Sequence, residues 1–291
     1  MKIPGAVASA IADATQRPFL LQRATPVSGG DINQTCRLEG SDGSLYFLKL
    51  NAAQQHGMFV AEAAGLQAIA ATGAIRVPHV IAHGASKGAS FLVLEHLPLG
   101  GRGDARRLGE QLAALHRNTA DQFGFAQGNF IGSTPQSNDW SNDWTDFWRE
   151  QRLGFQLRLA AHNGYGGELQ RQGARLMAAL PDLFAGHTPQ PCLLHGDLWG
   201  GNHGHLADGT PVIFDPAAYY GDRECDLAMT MLFGGFPADF YVAYQAAWPL
   251  DDGHAKRREL YILYHILNHA NLFGGAYVRQ AESMISALLA R

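Results

Sequence analysis

The chain is poor in cysteine: Cys36, Cys192 and Cys225 are its only three, they lie far apart, and no C-x-x-C spacing occurs. That excludes both a disulfide framework and a cysteine-built zinc site. It also lacks a strong charge of either sign. The 22 Lys and Arg stand against 26 Asp and Glu, for a formal charge of -4, and they form no dense basic run that would attract a polyanion. Nucleic acid is therefore not an expected partner. Nor is there a charge-free apolar stretch of about 18 residues, the length a membrane-crossing helix needs. The opening MKIPGAVASAIADAT has an apolar face without the continuous apolar segment of a secretion signal. No membrane association is expected, and a reducing cytoplasm is the expected location. Internal repeats and low-complexity tracts are missing too, which removes the solenoid classes.

What the chain does have is apolar content: 46% of 291 residues, enough for one large core or two modest ones. Residues 3 to 15 carry apolar positions at helical spacing. The texture then changes to strand and turn: apolar residues at Phe19 to Leu21, a Ser28-Gly29-Gly30-Asp31 turn, Ile32 to Leu38, a Gly40-Ser41-Asp42-Gly43 hairpin, and Leu45 to Leu50. Phe59, Ala63, Leu66 and Ala70 recur at helical spacing from Met58 to Ala71, and Gly73 closes that helix. Two further strands, His79 to His83 and Phe91 to Leu97, flank the turn Gly84 to Gly88. A Gly-rich stretch from Pro98 to Gly103 precedes patterns that are mostly helical, at about 104 to 120, 143 to 162, 166 to 184, 223 to 234, 237 to 248, 254 to 272 and 276 to 290. The exception is 191 to 215, where the short apolar runs Cys192 to His195 and Val212 to Phe214 each end in an Asp-bearing loop. The expected organisation is an α+β chain of two lobes, 1–97 and 98–291: an antiparallel sheet with a helix first, then a mostly helical lobe holding one small hairpin.

The densest chemical signal is His195-Gly196-Asp197-Leu198-Trp199-Gly200-Gly201-Asn202, followed by Asp215 at the end of an apolar strand. A kinase catalytic loop needs a carboxylate to orient and deprotonate an acceptor hydroxyl. It needs an amide oxygen to hold Mg²⁺, and a second carboxylate for the metal that bridges the phosphates of ATP. Asp197, Asn202 and Asp215 occur in that order, with four residues between the first two. His-Gly-Asp alone is also an ordinary turn, so the triplet in its strand context carries the reading. Phosphoryl transfer asks a protein chiefly for positioning and charge neutralisation, which this set can supply.

The first lobe complements it. Lys49 lies on the third strand and Glu62 thirteen positions on in the following helix, where an ion pair would hold the lysine toward the phosphates. Taken alone, such a pair is more often solvated surface charge; the catalytic-loop signal reverses that preference, because Lys49 sits where the lobe order needs a lysine. Gly29, Gly30 and Asp31 form the turn that would cover the phosphates with backbone N–H groups, without the full G-x-G-x-x-G pattern. Glu95 and Leu97, at the end of the last strand of this lobe, offer backbone groups for an adenine ring; a plain buried strand is the alternative. Only Pro216 to Gly221 separate Asp215 from the helix that begins at Asp222, which leaves no room for a peptide-docking segment and favours a small acceptor or a single modified side chain. Asp226, early in that helix, is placed as a support for the loop around His195, with helix capping as the alternative. Trp199 offers an indole face for the carbon skeleton of a sugar. His265 and His269 are four apart on a helix but lack the Glu of a zincin pattern, and Trp140, Trp144 and Trp148 read as a packing stripe.

The stretches LLHGDLWGGN and PVIFDPAAYYGDRECDLAMTMLFGG, with SGGDIN, FLKLN, MFVAEAAGL, FLVLEHL, NFIGSTPQSNDWSNDWTDFWREQRL and YHILNHANLFGGAYVRQA, resemble the fructosamine kinase (ketosamine-3-kinase) family. That family belongs to the aminoglycoside-phosphotransferase-like branch of the protein-kinase-like fold. The resemblance spans nearly the whole chain. It implies phosphorylation, by ATP and Mg²⁺, of the 3-hydroxyl of ketosamines, either small-molecule adducts or glycated protein lysines, which makes the adduct labile and repairs glycation. In that reading Asp197 is the base, Asn202 and Asp215 hold magnesium, Lys49 and Glu62 position the phosphates, and Trp199 and His269 face the sugar. Many members carry a cysteine in the phosphate-covering loop that can link two chains. Here the position is Asp31, and redox-controlled dimerisation through the loop is not expected. The competing readings are a kinase for an aminoglycoside, choline or another sugar, and a catalytically silent nucleotide-binding protein.

Overall fold

The computed structural model describes residues 3–27 and 32–290. The chain begins with α1 (Gly5–Thr15), β1 (Leu21–Pro26), β2 (Gln34–Gly40), β3 (Leu45–Ala52), α2 (His56–Thr72), β4 (Val80–Ser86) and β5 (Ala89–Glu95). It continues through α3 (Ala105–His116), β6 (Asn129–Ile131), β7 (Thr134–Gln136), α4 (Trp144–Phe147), a π-helical turn (Trp148–Leu153), α5 (Gly154–His162) and α6 (Glu168–Leu183). The last part holds β8 (Cys192–Leu194), β9 (His203–His205), β10 (Pro211–Ile213), β11 (Tyr219–Gly221), α7 (Glu224–Thr230), α8 (Ala238–Ala247), α9 (His254–Phe273) and α10 (Ala276–Leu289). Two compact units result. One comprises Met1–Asp104 with His203–Pro216, the other Ala105–Asn202 with Ala217–Arg291.

The first unit is built on an antiparallel sheet in the order β1-β2-β3-β5-β4. Its strands follow the two-residue period of a pleated sheet: Cys36 and Leu38 on β2, Leu48 and Leu50 on β3, and Phe91 and Val93 on β5 bury against Val7 and Ile11 of α1. The intervening Lys49 therefore points to the other face, where α2 packs against β4 and β5. The 17-residue α2 ends at Gly73 with φ +63°, the left-handed stop that its sequence announces. The first strand runs later than the apolar cue at Phe19 to Leu21 suggests. It is an edge strand with little burial on either face, so LQRATP shows no alternation to read, while Phe19 ahead of it enters the core.

The second unit packs its core around α9. Trp144, Phe147, Trp148, Leu260, Tyr261 and Tyr264 form the centre of that core, and the Trp144 indole N–H donates to the Tyr261 hydroxyl at 3.0 Å. Trp144 and Trp148 are the packing stripe; Trp140 precedes the helix and is exposed. The helix expected at 143 to 162 is real but passes through one π-helical turn. The helix expected at 223 to 234 stops at Thr230, because Phe233, Gly234 and Gly235 all adopt positive φ and cannot continue it.

The expected small hairpin within 191 to 215 is instead two ribbons. Cys192–Leu194 pairs with Tyr219–Gly221, and Pro211–Ile213 pairs with His203–His205. The segment carrying Asp197 and Asn202 thus leaves one ribbon and enters another, and is no hairpin tip. A third ribbon, β6 with β7, occupies the NFIGSTPQ stretch and turns at Gly132.

Candidate active site

In the first unit three charged side chains from separate elements meet. The Lys49 ammonium, on β3, donates to Glu62 Oε1 of α2 at 2.7 Å and to Asp215 Oδ1 at 2.5 Å. Asp215 arrives there because β10 is anchored to the body of the unit: the Ile213 N–H donates to the Arg76 carbonyl at 3.0 Å, and two residues later the chain adopts a left-handed φ of +58° at Asp215 itself. That conformation is uncommon outside glycine, and Asp is among the side chains that adopt it most readily. Burial opposes the charge on Lys49, but the two carboxylates outweigh it and hold the amine above its usual range, so it remains cationic. Burial pushes Glu62 up to about 7, a rise that Lys49 reduces and Asp215 reinforces. Two acids therefore share one cation, and the more buried acid is the one that gives way. The Asp215 side chain stays 41% exposed and can receive a further cation.

Elsewhere in the unit, the Glu95 carboxylate accepts from the Arg76 guanidinium with both oxygens at 2.5 Å and accepts the His79 N–H at 3.1 Å. The Leu97 carbonyl accepts from Leu99 N–H at 2.9 Å. Gly29, Gly30 and Asp31 lie outside the described residues.

In the second unit the loop after β8 is held by Asp226 of α7. One carboxylate oxygen accepts the His195 N–H at 2.7 Å and the other the Gly196 N–H at 2.8 Å, while His116 Nε2 of α3 approaches the first oxygen at 3.0 Å. Burial alone would raise the Asp226 pKa; His116, His195 and the backbone N–H groups reverse that and hold it below the usual carboxylate range. Gly196, at φ +82°, is required twice over. No L side chain favours that conformation, and a Cβ there would lie 2.2 Å from the Ala217 carbonyl oxygen. Asn202, nearly buried, donates its amide N–H to the Asp197 carbonyl at 2.9 Å and to the Asp197 carboxylate at 3.2 Å, so its amide oxygen is the acceptor left over. An amide oxygen and a half-exposed carboxylate are each hard oxygen donors of the kind Mg²⁺ accepts.

Trp199 is 37% exposed, and its six-membered ring lies over Gly201, where a Cβ would meet ring carbons at 2.4 Å. His269 of α9 bonds through Nδ1 to the His265 carbonyl at 2.7 Å, leaving Nε2 for other partners. Phe233 lies between these two rings, 6.0 Å from Trp199 and 5.0 Å from His269.

Several supporting residues carried no signal in the sequence. His116 is 110 residues from Asp226 and belongs to no motif. Asn129 donates to the Ala218 carbonyl at 2.8 Å, and Gln136, which donates to Asn129 at 2.7 Å, accepts from the Tyr264 hydroxyl at 2.5 Å. The β6–β7 ribbon thereby braces the segment that follows Pro216. Arg152 is fully buried, stacks at 4.1 Å on Tyr219, and donates to the Ser137 carbonyl and the Asn138 side chain, both at 2.7 Å. Only the polar density of NFIGSTPQSND hinted at this work.

A sheet unit with a strand lysine paired to a helix glutamate, and a helical unit with an Asp-x4-Asn loop, define a phosphotransferase of the protein-kinase-like fold; the same architecture recurs in solved phosphotransferase structures of far lower sequence identity. Residues 4–291 match the family model described as fructosamine kinase, and the chain belongs to that family. It is similar to a probable ketoamine kinase of Synechocystis, with 50% identity over 97% of this chain and 96% of the relative. It is also similar to a chloroplastic protein-ribulosamine 3-kinase of Arabidopsis thaliana, with 43% identity over 90% of this chain and 81% of that one. The crystal structure of a putative fructosamine-3-kinase from Haemophilus somnus superposes with a TM-score of 0.89 at 30% identity, covering 97% of this chain and 96% of that one. The chain is accordingly an enzyme, a phosphotransferase with an alcohol group as acceptor. No helix among the described residues is long and apolar enough to cross a membrane.

Proposed function

We propose that this enzyme transfers the γ-phosphoryl group of ATP to the 3-hydroxyl of ketosamines, with Asp197 as the catalytic carboxylate. The observation that carries the reading is the Asp197 carboxylate, aligned by Asn202 at 3.2 Å, on the same short loop as the exposed face of Trp199. A carboxylate that removes a proton and an apolar plate that packs against the C–H face of a sugar are what a kinase for a ketosamine hydroxyl needs. Family membership and the ketoamine and ribulosamine kinase relatives support the substrate class.

In this mechanism Asp197 accepts the proton of the 3-hydroxyl as that oxygen forms its bond to the γ-phosphorus and the bond to the β-phosphate oxygen breaks. Lys49, kept cationic and held by Glu62, neutralises the α- and β-phosphates. Asn202, through its amide oxygen, and Asp215, through its exposed carboxylate, would hold Mg²⁺. When bound, the ion supplies neutralisation of the charge shared between the phosphates. Entry of phosphate would draw Lys49 away from one of its two acids, and Asp215 then becomes available as a ligand. Backbone groups at Glu95 and Leu97 take the adenine. Trp199 and His269 face the sugar. Phosphorylation at C3 makes the adduct labile, so the reaction serves deglycation of small amines or of protein lysines. The buried, free thiols of Cys36, Cys192 and Cys225 suit a reducing cytoplasm.

The test is a panel of free and protein-bound ribulosamines, erythrulosamines and fructosamines, with aminoglycosides alongside, given ATP and Mg²⁺, with the product phosphate located by NMR. Ribulosamines are expected to outperform aminoglycosides. The reverse order would reject the substrate class, and retention of ATP turnover in Asp197→Ala would reject the assigned base.

A further inference from the structure

The rings beside the catalytic loop do not stop at the two expected to face the sugar. Trp199 contacts Phe233 edge-on at 6.0 Å, Phe233 contacts His269 at 5.0 Å, and His269 in turn contacts Phe273 at 5.6 Å and Tyr277 at 5.2 Å. All five belong to the second unit. The strip is exposed where a folded protein would ordinarily bury it: Phe233 is 45% and Phe273 60% accessible, against 37% for Trp199. Scattered exposed aromatics need no explanation, but a contiguous run of them marks a binding surface. Phe233 is moreover held out at a cost. It takes a left-handed φ of +56°, which a bulky residue seldom adopts, in the loop that ends α7 early, and it is followed by Gly234 and Gly235 at +105° and +73°. A loop that only needed to turn would place glycine at that position too.

We infer that Phe233, Phe273 and Tyr277 extend the acceptor site beyond the sugar and bind the amine-side arm of the substrate, the alkyl chain attached to the ketosamine nitrogen. The inference rests on the ketosamine reading and deepens it. With the sugar seated on the exposed face of Trp199 and turned toward His269, the substituent on its nitrogen runs along the same line of rings, over Phe233 and on to Phe273 and Tyr277. An aliphatic chain such as that of lysine gains from apolar contact with them, and the secondary ammonium it carries is attracted by their π faces. The strip therefore selects adducts of long primary amines, lysine side chains among them, over adducts of small amines or ammonia.

The experiment compares ribulosamines made from methylamine, butylamine and hexylamine as substrates of the full chain, with wild-type protein and with Phe233→Ala and Phe273→Ala. For the wild type, the hexyl adduct is expected to exceed the methyl adduct in kcat/KM by about ten-fold, from partial burial of the added methylenes. In either variant that ratio is expected to fall to within about two-fold, through KM and not through kcat. Thermal unfolding of both variants is followed alongside, and because either ring suffices as a test, one variant that folds poorly leaves the other to decide. A wild type without length preference, or a preference that survives both substitutions, overturns this inference alone. Failure to phosphorylate any of the three adducts overturns the ketosamine reading and the inference with it.

Discussion

In the β-sheet unit the charged groups Lys49, Glu62 and Asp215 bind one another, whereas in the helical unit the carboxylate behind the Asp197 loop, Asp226, is bound mainly by backbone. Lys49 is shared by Glu62 and Asp215; burial raises the Glu62 pKa to about 7, Lys49 only partly offsets that, and the neighbouring Asp215 adds to the rise. Asp226, by contrast, is satisfied by two backbone N–H groups and an imidazole, and its pKa is lowered although it is just as buried. The difference teaches what each set is for. An ion cluster with one cation too few is complete only when a ligand redistributes its charge. A carboxylate saturated by its own backbone is a fixture, and its purpose is to hold the neighbouring Asp197 in place.

Breaking the comparison at its most sensitive point means removing the group that the scaffold serves. Asp197→Ala should lower kcat by about 10²- to 10⁴-fold with the thermal transition little changed, as steady-state kinetics and calorimetry together would reveal. Asp226→Ala attacks the fixture itself. It strands two buried N–H groups and His116, and urea unfolding should show a loss of about 3 to 5 kcal/mol. Lys49→Met tests the cluster: turnover at saturating ATP should fall by about 10²- to 10³-fold, the scale of losing one preorganised donor to a developing charge. Because Glu62 then has no cation, it is expected to take up a proton near neutrality, visible as a carboxyl band in infrared difference spectra; its absence would contradict the charge imbalance.

The most gradual effect concerns pH. Burial, with help from His269 and Arg152, depresses His265 to about 3, so the folded protein keeps it neutral while the unfolded chain protonates it below about 6.5. A group whose folded pKa is depressed contributes its full stability above the unfolded value and loses it as pH falls. Stability should therefore decline between about pH 6.5 and 3 by up to about 1.4 kcal/mol per pH unit from this residue. Chemical denaturation at stepped pH should show a shallower slope in His265→Gln.

Much of this was legible beforehand because it depends on local spacing. The helix at 56–72 with its Gly73 stop, the antiparallel strands, and the order Lys49, Glu62, Asp197, Asn202, Asp215 all rest on periods of two or 3.6 residues or on a short loop motif. The end of α7 was misread because the apolar pattern continues through Leu232 and Phe233 while the backbone turns left-handed there. The two ribbons around Asp197 were read as one hairpin because two apolar runs in succession suggest mutual pairing, and nothing nearby announces that Tyr219–Gly221 is the partner of Cys192–Leu194.

The sequence by itself determined the class of chemistry and the α+β character, and it singled out the acid, amide and amine proposed for phosphoryl transfer, since those are matters of residue type and short-range order. The tertiary structure alone decided which groups neutralise which: Asp215 on Lys49 across 166 positions, His116 on Asp226 across 110, and Phe233 against His269. Partners that distant are chosen by how packed elements bring their faces together. No local period encodes that, so the charge balance of the site became visible only in three dimensions.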